Sequence, residues 1–100
     1  MRAREKLFWV VLLCLLEGKS FYLAECGGCG WHVCLMAEPI SLPRSTERLR
    51  AHHNNPDNRH GAHCPDGMYR GQPKRIRVSR YTVLEIEKAL ELSGGKVIEV

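Results

Sequence analysis

Three observations predict a small α+β domain, with a cysteine-stapled, loop-rich N-terminal half followed by a C-terminal strand-helix-strand unit. The chain has 100 residues, a size at which burial alone gives thin stability and disulfides or a metal commonly help. Three of its five cysteines, Cys26, Cys29 and Cys34, fall within nine residues of one another. After Pro73 an irregular, His- and Pro-rich composition gives way to regular apolar periodicity.

Residues 1–20 read as a secretory signal peptide. Arg2, Arg4 and Lys6 make a basic start, Leu7–Leu16 is an unbroken apolar run, and Gly18 and Ser20 are small residues at the third-last and last positions before a cut. Cleavage after Ser20 discards Cys14 and converts five cysteines into four, the even count a disulfide framework needs. The competing reading makes the same run a buried core helix of an intracellular protein. Ten apolar residues fall short of the roughly 20 that cross a bilayer, so no stable membrane span is expected.

Residues 21–37 form the cysteine-rich segment. Phe21–Ala24 fits a short strand that leads into Cys26-Gly-Gly-Cys29-Gly30-Trp31-His32-Val33-Cys34. In an oxidised chain Cys26, Cys29, Cys34 and Cys64 make two disulfides, with three pairings open. A Cys26–Cys29 bridge is the least favourable of them, because so short a loop strains the bond. Linking Cys64 to the cluster removes on the order of 3–4 kcal/mol of unfolded-state chain entropy.

As metal ligands the same residues read differently. A Cys-x-x-Cys followed at once by Gly has the shape of a zinc knuckle, whose small residues let the backbone turn around the ion. Over Cys26–Gly30 the chain resembles one half of a zinc ribbon, and the resemblance implies zinc. The second half departs from the ribbon pattern, since a histidine stands where the second cysteine belongs. The implied ligand set is Cys26, Cys29, His60 and Cys64, with His63 or Cys34 as substitutes.

Residues 38–73 read as a basic, His/Pro-rich loop. From Arg44 to Arg80 nine Lys/Arg face three acids, an excess of +6 in a chain whose net charge is +4. Such a stretch suits a polyanionic partner or a solvated loop. Ser45–His53 supplies two helical turns, with Ser45 as cap and Leu49 as the only large apolar residue. His52 and His53 are adjacent, so on a helix they point apart, and both are expected as exposed loop histidines.

Residues 74–100 read as a β-α-β unit. Lys74–Arg80 alternates Ile76 and Val78 with Arg75 and Arg77, the period of a strand with one basic face. Lys74-Arg75 is also a dibasic pair, read as two cations on a strand edge in preference to a processing site. Tyr81–Ser93 is the strongest helix, with Thr82 and Glu85 spaced as a capping box and Tyr81 and Ile86 as a hydrophobic staple. Gly94 and Gly95 end it, and Lys96–Val100 reads as a last strand, with a crossover long enough for parallel pairing.

These readings point to a small secreted, disulfide-stabilised, non-catalytic protein without a cofactor. It would bind an extracellular anionic partner, a receptor or a sulfated glycan. Arg70, Lys74, Arg75, Arg77 and Arg80 make the basic strip, and Trp31 and Tyr69 are its aromatic contacts. The alternative is an intracellular zinc-binding module whose strip contacts nucleic-acid phosphates without reading sequence. An enzyme is disfavoured, because carboxylate pairs, phosphate-binding glycine loops and serine elbows are missing.

Overall fold

The structure, a computed structural model, describes residues 3–38, 42–54, 69 and 71–99, with backbone alone at 3 and 42–46. It is a small α+β domain in which helices cover both faces of a four-stranded mixed sheet. The order along the chain is α1 (Ala3–Glu17), β1 (Ser20–Glu25), β2 (His32–Ala37), α2 (Leu42–Asn54), β3 (Lys74–Ile76), α3 (Val83–Leu92) and β4 (Val97–Glu99). His60, His63, Cys64 and Arg70 lie outside the described residues.

The sheet runs β3-β1-β2-β4. β1 pairs antiparallel with β2, in register from Ser20↔Ala37 to Glu25↔His32, and antiparallel with β3 through Phe21↔Ile76. β4 joins β2 in parallel, with Leu35 opposite Ile98. β3 and β4 therefore run in the same direction, as the expected crossover requires, but they do not pair. The β1–β2 hairpin occupies the two places between them.

Alternation along the strands divides the core in two. Phe21, Cys34, Met36 and Ile76 face α1 and α3, where they meet Val10, Ile86, Ala89 and Leu90. Tyr22, Ala24, Val33, Leu35 and Ile98 face the other way, toward Leu49, Trp31 and Tyr69. β2 is buried at every position from Val33 to Ala37, as expected of a central strand covered on both faces. In sequence this stretch has the look of a cysteine motif, and its unbroken burial conceals the strand.

The residues read as a leader's apolar core form α1. Val10 is fully buried, and Leu7, Trp9, Leu13 and Cys14 pack around it. α3 lies antiparallel to α1. Lys6 donates to the Gly95 carbonyl at one end, and Leu15 and Thr82 line a common cavity at the other.

α3 stops as its sequence predicts. The Gly95 amide donates to Leu90 O at 2.8 Å and the Gly94 amide to Glu91 O at 3.0 Å. With Gly94 at φ 65° and Gly95 at φ 80°, this is a Schellman termination that a side chain at Gly94 would strain. Its start differs from expectation. The Thr82 hydroxyl makes no cap bond to α3 and turns back to Arg77 and Ser79 instead. Tyr81 is 81% exposed, so no staple to Ile86 forms; its hydroxyl accepts from Arg80, whose guanidinium also lies 4.7 Å from the ring centroid.

α2 is longer than two turns, because Pro43 sits in its first turn, where a missing N–H costs nothing. Stretch 38–73 thus contributes to the core, through Leu49 and His53.

Cys34 does not join the other thiols. It projects from β2 toward α3, fully buried, donating to Ala89 O at 3.4 Å with Ser93 Oγ also at 3.4 Å. Burial pushes its thiol up to about 11, partly offset by the Ser93 hydrogen bond and the Lys6 charge. In the unfolded chain the thiol ionises near 9, so above that pH the folded state holds a proton that the unfolded state has lost. Stability should be complete below pH 9 and fall as pH rises through 11, by on the order of 2–3 kcal/mol. Urea melts across that window should show the fall in the native chain and a flatter profile in Cys34→Ala.

Candidate metal centre

The hairpin turn between β1 and β2 places two thiols beside α2. The Cys26 amide donates to Trp31 O at 2.8 Å, closing the hairpin neck, and the Gly30 amide donates to Cys26 O at 2.8 Å, wrapping the loop back on itself. Gly30 has φ 74°, a left-handed conformation that glycine adopts without strain. The small residues of Cys-Gly-Gly-Cys-Gly therefore act as the sequence predicts, letting the backbone curl so that Cys26 and Cys29 turn toward one point. One pair along, Glu25 Oε1 and His32 Nε2 lie 3.5 Å apart across the strands.

The third donor comes from α2. His53 stands four residues after Leu49, so both share the face that α2 presents to the sheet. Leu49 is fully buried and His53 is 1% exposed. This corrects the expectation of an exposed loop histidine. The signal was the i, i+4 spacing to Leu49, and it separates His53 from His52, which is only half-buried.

Cys26, Cys29 and His53 bring their ligand atoms within 4.8 Å of one another. Cys29 Sγ lies 3.4 Å from His53 Nε2. Zinc bonds of about 2.3 Å to sulfur and about 2.0 Å to nitrogen, at a tetrahedral angle, set that separation at about 3.5 Å. On the far side of the ring, His53 Nδ1 lies 2.9 Å from Asn54 Oδ1, an oxygen that can only accept. The tautomer with Nδ1–H donating to that oxygen leaves the Nε2 lone pair toward the thiols, and such an outer contact orients a metal-ligating imidazole.

Aromatic side chains wall the site. Trp31 meets the His53 ring edge-on at a centroid distance of 5.4 Å, and Tyr69 meets His53 at 5.9 Å and Trp31 at 6.0 Å. Trp31 is 2% and Tyr69 8% exposed, so neither is displayed as a contact for the basic strip. Their large apolar area is used to enclose His53. The Tyr69 hydroxyl is buried without a hydrogen-bond partner among the described residues, and burial, with the charges of Cys26 and Glu25, holds it protonated up to about 12. Beside it, a Cβ on Gly71 would lie 2.0 Å from the Glu25 carbonyl oxygen, so glycine is needed there for the chain to pass next to the end of β1, just before Cys26.

Of the expected ligands, Cys26 and Cys29 are thus together, while His60 and Cys64 fall outside the described residues. Cys34 cannot substitute, because it lies on the opposite face of the sheet. Among the described residues, none of Cys14, Cys26, Cys29 and Cys34 is joined in a disulfide. Lys74, Arg75, Arg77 and Arg80 are exposed on β3 and the turn after it. The fold and these donors define a small α+β domain with a thiol-imidazole cluster. Comparison with protein-family models, curated proteins and solved structures finds no match for the chain.

Proposed function

We propose that the chain is a small zinc-binding domain, with the ion held by Cys26, Cys29 and His53, and that the exposed cations of β3 and its following turn engage an anionic partner. The observation that carries the metal is the 4.8 Å convergence of two thiols and one imidazole, a soft donor set that suits zinc over the oxygen-seeking divalent ions. One further tetrahedral position is left for water or another ligand. In this reading the metal supplies the staple that the length of the chain calls for, in place of a disulfide framework. The separation of Cys34 from the other two thiols by the sheet supports that choice. So does the burial of α1 residues that cleavage after Ser20 would remove.

A second reading follows from the chain Cys29–His53–Asn54, since a thiol within reach of an imidazole that is itself held by a side-chain oxygen is the layout of an activated nucleophile. The nearby thiol of Cys26 favours the metal, because it is buried and adds a donor where a nucleophile needs open approach.

Metal analysis of the reduced protein decides between them. We expect one zinc per chain, cobalt replacement with thiolate-to-metal charge-transfer bands, and Cys26 and Cys29 protected from alkylation until a chelator is added. A metal-free protein whose Cys29 alkylates rapidly while Cys26 does not would overturn the zinc reading in favour of the nucleophile.

A further inference from the structure

α1 is apolar on two sides, and the core uses only one of them. Leu7, Val10, Leu13 and Cys14 face inward. On the opposite side Phe8 is 68%, Leu15 67% and Leu16 78% exposed, with Leu12 at 38% between them. These residues recur at helical spacing, so they form one stripe along the outside of the helix. A soluble surface scatters such residues singly; a continuous stripe marks a contact.

The charge around the stripe indicates what it contacts. Where α1 ends, a cavity of about 650 Å³ opens between it, β3 and the start of α3. Its apolar lining includes Leu15, Phe21 and Ile76, and its cations are Lys19, Arg75 and Arg77. Lys19 is shared with Glu17 at 3.6 Å, which leaves the two arginines in excess. A slot lined by both apolar and cationic residues, continuous through Leu15 with an exposed apolar stripe, matches a molecule that has an acyl chain at one end and a phosphate at the other. Free phosphate would leave the apolar wall unused, and a nucleic acid would leave the stripe unused.

We infer that the protein docks on the anionic face of a lipid bilayer, with the Phe8–Leu16 stripe of α1 set among the acyl boundary and Lys19, Arg75 and Arg77 taking a lipid phosphate. The inference rests on the anionic-partner half of the function proposed above and names that partner. Among the described residues no helix is long and apolar enough to cross a membrane, and the geometry is that of a helix lying in the interface plane, where apolar burial and attraction to anionic lipid add. Tyr81 and Leu84, 81% and 79% exposed beside the cavity residue Thr82, extend the same apolar and aromatic character to the start of α3.

The test is sedimentation of the zinc-loaded full chain with vesicles of phosphatidylcholine alone and of phosphatidylcholine mixed with phosphatidylglycerol, at low and high salt. Zinc content, circular dichroism and binding to a duplex oligonucleotide and to heparin are measured on the same samples. We expect binding to the anionic vesicles that weakens with salt. Arg75→Gln with Arg77→Gln should weaken it by about five-fold per charge, the weight of one cation at an anionic surface. Leu15→Gln with Leu16→Gln should abolish it at unchanged zinc content and helicity, since both side chains are exposed. Binding to the oligonucleotide or heparin without binding to vesicles would overturn the lipid partner and leave the anionic-partner reading standing, whereas binding to none of the three would overturn both. A dimer that becomes monomeric in the Leu15/Leu16 variant, with no vesicle binding in either, would also overturn the inference, because the stripe would then be covered by a second copy.

Discussion

Replacing Cys26 by serine is expected to abolish stoichiometric zinc binding and, with it, the part of the folding free energy that the metal supplies. Cys26 is fully buried at the neck of the hairpin, so its thiolate can be accommodated only if a cation neutralises it. A serine hydroxyl is close in size but a poor zinc ligand, so the change removes a donor while leaving the packing nearly as it was. Structural zinc in small domains contributes about 10–16 kcal/mol of apparent binding free energy at neutral pH. Two donors cannot hold what three do. The variants should fall in a definite order by isothermal titration with zinc: Cys26→Ser and Cys29→Ser worst, His53→Ala close to them, and Asn54→Ala weaker by only about 10–100-fold, the cost of an outer partner that fixes a ring. Cys34→Ser should bind zinc as the native chain does, because its side chain points to the other face of the sheet. Melting temperature measured with and without chelator should follow the same order, since a ligand of the native state alone stabilises by mass action. Equal losses in Cys34→Ser and Cys26→Ser would mean that the thiols act through general packing, and the metal centre would be abandoned.

The order of these effects also marks what the sequence could disclose. Cys26, Cys29 and Gly30 were legible as a turn around a metal because that chemistry is local: the glycines set the backbone and the spacing sets the donors. His53 was not. Its role depends on α2 packing Leu49 against β2, a tertiary contact between two elements, and a polar residue next to a second histidine gave no sign of burial on its own. β2 was hidden for a different reason. Its run His32–Ala37 is apolar on both faces because the strand is central, so it lacks the alternation by which a strand is recognised. Residues 74–100 disclose the direction of the β3-α3-β4 crossover but not the strands' neighbours, since nothing in them says that a hairpin from the N-terminal half is inserted between the two strands. The basic strip was legible as composition. That Trp31 and Tyr69 leave it for the interior reflects the need to enclose His53, which only the assembled fold imposes.

Removing residues 1–20 is expected to unfold the domain. The sequence allows α1 to be a leader that is discarded, and two consequences separate that from a helix that belongs to the fold. The first is the surface left behind. Without α1 the buried side chains of Phe21, Met36, Ile86 and Leu90 lose a layer of cover, and α3 loses the Lys6 contact at its C-terminal end. Val10 is fully buried and Leu7, Trp9 and Leu13 partly so. At about 1.5–3 kcal/mol for each fully buried apolar side chain and less for the others, their combined loss is on the order of 5 kcal/mol or more, comparable to the whole stability of a domain this size. The second is specificity of position. Val10→Asp should be as damaging as the deletion, because it puts an unpaired carboxylate into the core, whereas Leu16→Asp, on the exposed side of the same helix, should leave folding unchanged. Chemical denaturation of the three zinc-loaded proteins measures both. A fragment 21–100 that unfolds cooperatively at the same midpoint as the intact chain would show that the sheet closes without α1 and would restore the cleaved leader. A destabilised fragment, with Val10→Asp matching it and Leu16→Asp not, would place the inner face of α1 in the folding core and leave its outer face for a partner.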